Sequence, residues 1–198
     1  MQDARTLTRR RLIAASAGVA GVGAVAVWSG VGLLSGKGTS LDDAEPLALA
    51  LALERLQAAF YAEAVAGGSL TGELLDFATT AADHEAEHAA LIEPLVPDPP
   101  EEPAYDFGGD TGDPVAFAAA AASLEDLAVA AYNGIIPSLG EQGLATAGRI
   151  VSVDARHAAW IRAINGDDPA AEATDPGLDA RQVVARLEAT GYLVEPSP

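Results

Sequence analysis

The sequence predicts an all-α protein whose main domain is a four-helix bundle. Three observations lead to this prediction. Beyond residue 40, apolar residues recur mostly with helical spacing, and glycine and proline separate four segments of about 20 residues each. Two of these segments repeat the other two in sequence, and no stretch shows the pattern of a strand.

Caps and helix breakers define the elements. Residues 93–113 contain five prolines and many acidic side chains, which predicts a long irregular crossover between the second and third helices. A short fifth helix should follow the bundle. The predicted helices are residues 43–67, 69–92, 113–137, 139–164 and 179–190.

The chain divides into three parts. Residues 1–40 form a signal or membrane-anchor helix, residues 41–166 form the bundle, and residues 167–198 form an extension that contains the short helix. The bundle is long enough to bury a core of its own.

Charge is distributed unevenly along the 198 residues. Five of the 11 basic residues but one of the 29 acidic residues precede residue 40, which leaves 6 basic against 28 acidic side chains in the remainder. A surface this negative repels phosphate groups, so nucleic acid is excluded as a partner. The absence of cysteine excludes disulfides, thiolate metal sites and a thiol nucleophile.

The N-terminal segment predicts export. Arg9 and Arg10 precede the uncharged, apolar residues 12–34, and this order resembles a twin-arginine signal. The twin-arginine export machinery is therefore an expected partner, and the membrane is expected to contact only this segment. The alternative is a plain membrane anchor, for which these 23 residues suffice. A cleaved signal would release a periplasmic or secreted domain, whereas an uncleaved one would hold the domain on the outer face.

The bundle contains an internal repeat. Residues 53–61 and 124–132 share the pattern Leu-Glu-x-Leu-x-x-Ala-x-Tyr, and residues 85–92 match residues 154–161. The repeat indicates two duplicated helical hairpins.

Each half carries a lone glutamate on its first helix and a carboxylate-x-x-histidine on its second. Residues three apart share a helix face, so each carboxylate and its histidine can hold one ion. Residues 54 and 85 are equidistant from one predicted turn, and residues 125 and 154 from the other, which places both sets at one depth. The candidate metal ligands are Glu54, Glu85, His88, Glu125, Asp154 and His157.

This combination is the ligand set of a dimetal carboxylate centre in a four-helix core. Oxygen and imidazole ligands suit iron or manganese, with zinc as a further candidate, so two iron or manganese ions are the predicted cofactors. The alternative is a metal-free core, because acids at helical spacing usually form a solvated face. Two points favour the metal: the lone glutamates lie in apolar surroundings, and two of the three histidines occupy repeated positions.

Three other polar residues lie near the candidate ligands. His84 has no counterpart in the second half and is expected to be a neutral histidine at the core boundary. Tyr61 and Tyr132 lie two turns beyond their glutamates, where they either support the metals or pack as aromatic side chains.

Residues 44–165 resemble the ferritin-like superfamily, in particular exported ferritin-like domain proteins of bacteria. The resemblance is carried by Leu53-Glu54, Phe60-Tyr61 and residues 125–132 and 155–162. It implies a ferritin-like bundle with metal ligands at the six positions. Asp154 departs from the usual glutamate of the superfamily, and the lost methylene shortens its reach by about 1.5 Å.

The resemblance also implies a function. We expect an exported redox protein that consumes oxygen or peroxide, or protects against oxidants. The alternative is a metal-free structural or stress-response bundle without catalysis. No residue is assigned a catalytic role, and a homo-oligomer is compatible with the sequence without being specified by it.

Overall fold

The computed structural model describes residues 44–194, so the predicted signal or anchor helix lies outside the described residues. Five α-helices form this part of the protein, and all five were predicted, with small differences at their ends. Short 3-10 turns extend α2 and α3. The helices are α1 (Ala44–Gly67), α2 (Gly72–Ile92), α3 (Pro114–Ile135), α4 (Glu141–Ile164) and α5 (Ala180–Thr190).

The first four helices form the predicted bundle of two hairpins. α1 pairs with α2 and α3 pairs with α4, while α1 also contacts α3 and α2 contacts α4. The crossover between α2 and α3 connects the two hairpins. The described residues contain no β-strand, only one isolated antiparallel bridge between Tyr105 and Leu193.

Local side-chain chemistry fixes two of the helix starts. Asp113 caps α3, where its carboxylate accepts hydrogen bonds from the backbone nitrogens of Val115 (3.0 Å) and Ala116 (2.9 Å). Asp179 and Gln182 form a reciprocal capping box at the start of α5, with both hydrogen bonds at 2.9 Å. These caps satisfy backbone donors that the first helical turn leaves unpaired.

The core consists of two apolar clusters. One is rich in aromatic side chains and includes Phe60, Phe77 and Phe117; we call it the aromatic cluster. The other, which we call the aliphatic cluster, includes Leu51 and Ile150. Glu54 on α1 and Asp154 on α4 lie between residues of the two clusters. A polar layer therefore crosses an otherwise apolar core.

α3 is the one described helix that is long and apolar enough to span a membrane. Most of its apolar surface is instead buried within the bundle, and Glu125 lies near its middle. These features are those of a core helix of a bundle.

The crossover contacts α1, and the residues that follow α5 contact the crossover. Arg55 on α1 donates to the carbonyl oxygen of Pro100 (2.7 Å), and Phe107 packs edge-on against Phe60. The backbone nitrogen of Asp106 donates to the carbonyl oxygen of Tyr192 (2.9 Å). The residues that follow α5 therefore close over the crossover.

Gly134 lets the segment before α5 approach α3 closely. The backbone nitrogen of Leu178 donates to the carbonyl oxygen of Ala130 (2.8 Å). A Cβ atom at Gly134 would lie 1.8 Å from the carbonyl oxygen of Leu178. A larger residue at this position must therefore displace the backbone of the segment.

We expect Gly134→Ala to lower the free energy of unfolding by about 2 kcal/mol, because the new methyl group overlaps a backbone oxygen. Gly148→Ala is the matched control, since Gly148 is an exposed glycine within α4 and its added Cβ would meet nothing within 4 Å. That change should raise the free energy of unfolding by about 0.5–1 kcal/mol through helix propensity. Urea unfolding of the two variants measures both effects, and a stabilising Gly134→Ala would contradict the close approach.

Candidate metal centre

The structure brings all six predicted ligand residues together in one buried layer, which we call the polar layer. The four carboxylate residues are fully buried, and His88 and His157 are 6% and 3% exposed. α1 and α3 each supply one glutamate, and α2 and α4 each supply a carboxylate and a histidine. The members are Glu54, Glu85, His88, Glu125, Asp154 and His157.

The polar layer contains two groups with metal-ligand spacing, and within each group the ligand atoms lie within 4.8 Å of one another. One group comprises Glu54, Glu85 and His88. The other adds Glu85 to the ligands of the second half, Glu125, Asp154 and His157. Glu85 therefore belongs to both groups.

Glu85 lies between the two histidines. Its Oε2 atom is 2.9 Å from Nδ1 of His88, and its Oε1 atom is 2.9 Å from Nδ1 of His157. The sequence assigns Glu85 to the first half alone, because intrahelical spacing relates it only to His88. The contact with His157 depends on how α2 packs against α4.

Asp154 is also brought into the polar layer, but its contact differs from that of Glu85. Its Oδ1 atom lies 3.4 Å from Nδ1 of His88, in the other half, and both of its oxygens lack a hydrogen-bond partner. The shorter side chain thus reaches the shared space between the helices.

Several ligand atoms of the polar layer are buried without a hydrogen bond to any described residue. Leaving such a group unpaired costs about 1–3 kcal/mol. Nδ1 of His157 and Oε1 of Glu85 are two of these unpaired atoms. They lie 2.9 Å apart, but the angles at this contact are not those of a hydrogen bond. The full set in the layer is Oε2 of Glu54, Oε1 of Glu85, Oε2 of Glu125, both oxygens of Asp154 and Nδ1 of His157.

Burial raises the pKa values of three carboxyl groups in the polar layer, and the charges of neighbouring carboxylates raise them further. The pKa of Glu125 rises to about 7, and those of Glu54 and Asp154 rise well above their usual values. Glu85 behaves differently. Burial opposes its charged form, but the close contacts with His157 and His88 hold its pKa well below the usual range.

The histidines respond to the same carboxylates. Burial lowers a histidine pKa, but close contacts and charge interactions with the glutamates outweigh this effect. They raise the pKa of His88 to about 10 and that of His157 to about 9. Without metal, protons therefore balance the charge of the layer.

Two tyrosines brace the glutamates from opposite halves. The hydroxyl of Tyr61 on α1 donates to Oε1 of Glu125 on α3, and the hydroxyl of Tyr132 on α3 donates to Oε1 of Glu54 on α1. In each glutamate this leaves Oε2 as the unpaired oxygen. The hydroxyl groups of the tyrosines thus support the polar layer, while their rings pack in the apolar clusters. The sequence had left support of the site and aromatic packing as alternatives, and both apply.

His84 contacts a candidate ligand directly. Its Nδ1 atom is 2.9 Å from Nε2 of His157, and the two rings stack with centroids 5.1 Å apart. Burial and then the charge of His157 lower its pKa. The predicted boundary position is correct, since the side chain is half-buried, but the contact was missed because Val153 occupies the repeated position.

Gln57 is a second residue that the repeat did not reveal. It is fully buried on α1 between Glu54 and Tyr61, and neither its amide nitrogen nor its amide oxygen has a hydrogen-bond partner among the described residues. A glutamine within a segment of core residues is the signal that marks it.

Comparison with known proteins places this geometry in a family context. A family model described as a ferritin-like domain matches residues 42–167, which is more than half of the chain and includes the whole polar layer. A sequence comparison with curated proteins gave no significant match.

The pKa values predict how the stability of the metal-free protein depends on pH. His88, His157 and Glu125 have higher pKa values in the folded state than their reference values of 6.5 and 4.5. Their stabilising contribution is therefore complete below the reference values and is lost as the pH rises through about 7 to 10. Glu85 acts oppositely, and its contribution is lost below pH 4.5.

We therefore expect the melting temperature of chelator-treated protein to fall between about pH 5 and pH 8. Added metal should reverse this trend, because metal ions bind only the deprotonated ligands, so the metal-induced rise in melting temperature grows with pH. Thermal melts at several pH values, with and without Mn²⁺, measure both slopes. A metal-free melting temperature that rises across this range would contradict the assigned charge states.

Proposed function

Because the chain belongs to the ferritin-like domain family, we propose that its polar layer binds two iron or manganese ions and supports redox chemistry that consumes oxygen or peroxide or protects against oxidants. The observation that carries this proposal is the set of buried ligand atoms without hydrogen-bond partners. A buried carboxylate requires a compensating charge, and a divalent cation supplies it.

The donor set fits such a pair of ions. Glu54 and His88 would hold one ion, and Glu85 would contribute to both. The other ion would be held by Glu125, Asp154 and His157. Carboxylate and imidazole donors suit iron and manganese. When bound, two such ions supply the electrons that reduce an oxidant.

The surrounding residues orient these donors. Tyr61 and Tyr132 each donate a hydrogen bond to Oε1 of a glutamate, which fixes the carboxylate and directs Oε2 towards the layer. Nδ1 of His157 faces the carboxylates, so a metal on Nδ1 requires the proton to lie on Nε2. The Nε2–H group then donates a hydrogen bond to Nδ1 of His84, 2.9 Å away.

The apolar clusters on both sides of the polar layer exclude bulk water. Phe77 packs edge-on near His157, and Ile150 and Leu51 belong to the opposite cluster. In such surroundings, electrostatic interactions between the ions and their ligands are stronger than in water.

The proposal extends to location. The sequence of residues 1–40 favours export by the twin-arginine route, which would place the domain outside the cytoplasmic membrane. A protein exported in folded form can acquire its metal before transport.

A metal-free structural or stress-response bundle is the second candidate. It is favoured by the contacts of Glu85 with both histidines, because protons on the histidines can balance a carboxylate without any metal. In that case the buried polar groups reduce stability, and replacing them with apolar residues would be neutral or stabilising.

Metal loading separates the two candidates. We expect anaerobic loading with Fe²⁺ or Mn²⁺ to give about two ions per chain and to raise the melting temperature, since the ions bind only the folded state. Glu85→Gln should lose both ions, because Glu85 contacts both histidines, whereas Glu54→Gln should lose one. Elemental analysis of the desalted protein gives the number of ions.

Glu87→Gln is the matched control, since Glu87 is an exposed glutamate on α2 outside both ligand groups. Its metal content should equal that of the wild type. Wild-type protein that retains less than about one ion per chain and shows no metal-dependent melting shift would favour the metal-free bundle.

The export proposal predicts that replacing Arg9 and Arg10 with lysine retains the precursor in the cytoplasm. The charge is unchanged, but the guanidinium geometry is lost. Fractionation of cells that express the full chain measures the outcome. Arg5→Lys, which lies outside the arginine cluster, is the control, and normal export of the double variant would indicate the general secretory route.

A further inference from the structure

One buried polar side chain on α1 takes no part in the ligand set described above. Gln57 is fully buried, and both polar atoms of its amide lack a hydrogen-bond partner among the described residues. Buried amides in folded proteins are normally hydrogen-bonded to protein or to ordered water. An enclosed amide without a protein partner is therefore able to hydrogen-bond a bound molecule.

The packing of α1 against α3 locates this amide relative to the polar layer. The hydrogen bonds from Tyr61 to Glu125 and from Tyr132 to Glu54 show that the two helices run antiparallel. Gln57 lies one helical turn from Glu54 and one turn from Tyr61, on the same face of α1. It therefore lies between a candidate ligand of one ion and the tyrosine that contacts a candidate ligand of the other.

Gln57 is carried by a different pair of helices from the histidines. His88 and His157 come from α2 and α4, whereas Glu54, Gln57 and Glu125 come from α1 and α3. A molecule bound at the metal pair from the α1–α3 side would therefore approach the helix that carries Gln57.

The internal repeat makes this amide unique within the bundle. The residue of α3 that corresponds to Gln57 is Ala128, which has no side chain capable of hydrogen bonding. The first half therefore supplies a buried amide that the second half lacks.

We propose that the Gln57 amide would hydrogen-bond a small molecule bound at the metal pair, such as water, hydroxide or hydrogen peroxide. Each of these molecules has an oxygen that can accept a hydrogen bond from the amide nitrogen. Each also has an O–H group that can donate a hydrogen bond to the amide oxygen. The inference rests on the proposed function, since the ligand is bound to the metal pair. Gln57 is thus a positioning residue for the exogenous ligand and not a metal ligand.

Azide is the probe for this proposal, because it binds iron and accepts a hydrogen bond. The test uses full-length protein loaded with iron, oxidised and analysed for metal content before titration. Gln57→Met keeps the length and approximate volume of the side chain but removes both polar atoms. We expect its metal content to match that of the wild type, and the dissociation constant of azide, measured from the azide-dependent absorption band, to increase about tenfold.

Leu56→Met is the matched control, since Leu56 is the adjacent buried residue of α1 and belongs to the aromatic cluster. Its azide affinity should equal that of the wild type. If Gln57→Met does not fold, Gln57→Asn replaces it. That variant withdraws the amide by one methylene and should also weaken azide binding.

The outcomes distinguish this inference from the function on which it rests. Unchanged azide affinity in a Gln57 variant that holds two ions overturns the inference and leaves the dimetal proposal intact. Wild-type protein that takes up no metal overturns both. A third outcome would also overturn the inference. If iron-loaded Gln57→Met binds azide as tightly as the wild type, and metal-free Gln57→Met melts at a higher temperature than the metal-free wild type, the amide is an unsatisfied core group.

Discussion

The charge balance of one buried layer constrains the rest of this protein. Four carboxyl groups enclosed at a single level of a bundle repel one another and lose their hydration, so the layer is stable only with compensating cations or protons. Glu85 is the residue through which this balance is achieved, since it alone contacts both histidines. Its low pKa and the high pKa values of His88 and His157 arise from the same carboxylate–imidazole contacts.

The surrounding elements protect this balance from water. The aromatic cluster closes the layer on one side and the aliphatic cluster on the other, so most of the bundle packs against apolar neighbours. The Arg55 side chain of α1 donates to the crossover at Pro100, and the backbone of Leu178, before α5, donates to α3 at Ala130. The residues after α5 form backbone hydrogen bonds with the crossover. These contacts place two long irregular segments against the helices that carry the lone glutamates.

Much of the fold could be predicted from the sequence because its signals are local. Asp113 before a proline, Gly191 after α5 and the proline-rich residues 93–113 each determine an element boundary through the conformation of a few residues. The six polar residues were also predictable, because a repeat and an equal distance from a turn can be counted along the chain.

Contacts between the halves could not be predicted in this way. Intrahelical spacing relates Glu85 to His88 but carries no information about His157, which depends on the packing of α2 against α4. The same holds for His84, whose repeated position is occupied by valine. The isolated bridge between Tyr105 and Leu193 also could not be predicted, because the two residues are far apart in the chain and neither lies in a segment of alternating polar and apolar residues. The export signal in residues 1–40 stays a prediction from the sequence, since these residues lie outside the described part of the chain.

The crosswise tyrosines have a consequence for the origin of the architecture. Each hairpin contains a tyrosine whose hydroxyl reaches only the glutamate of the other hairpin, so neither half completes its own polar layer. A single hairpin of this kind would satisfy its buried groups only as a symmetric homodimer, in which both subunits carry identical side chains. Covalent fusion removes that restriction. The two halves differ at corresponding positions of the repeat, with Gln57 for Ala128, Glu85 for Asp154 and His84 for Val153, and a symmetric homodimer cannot have such differences.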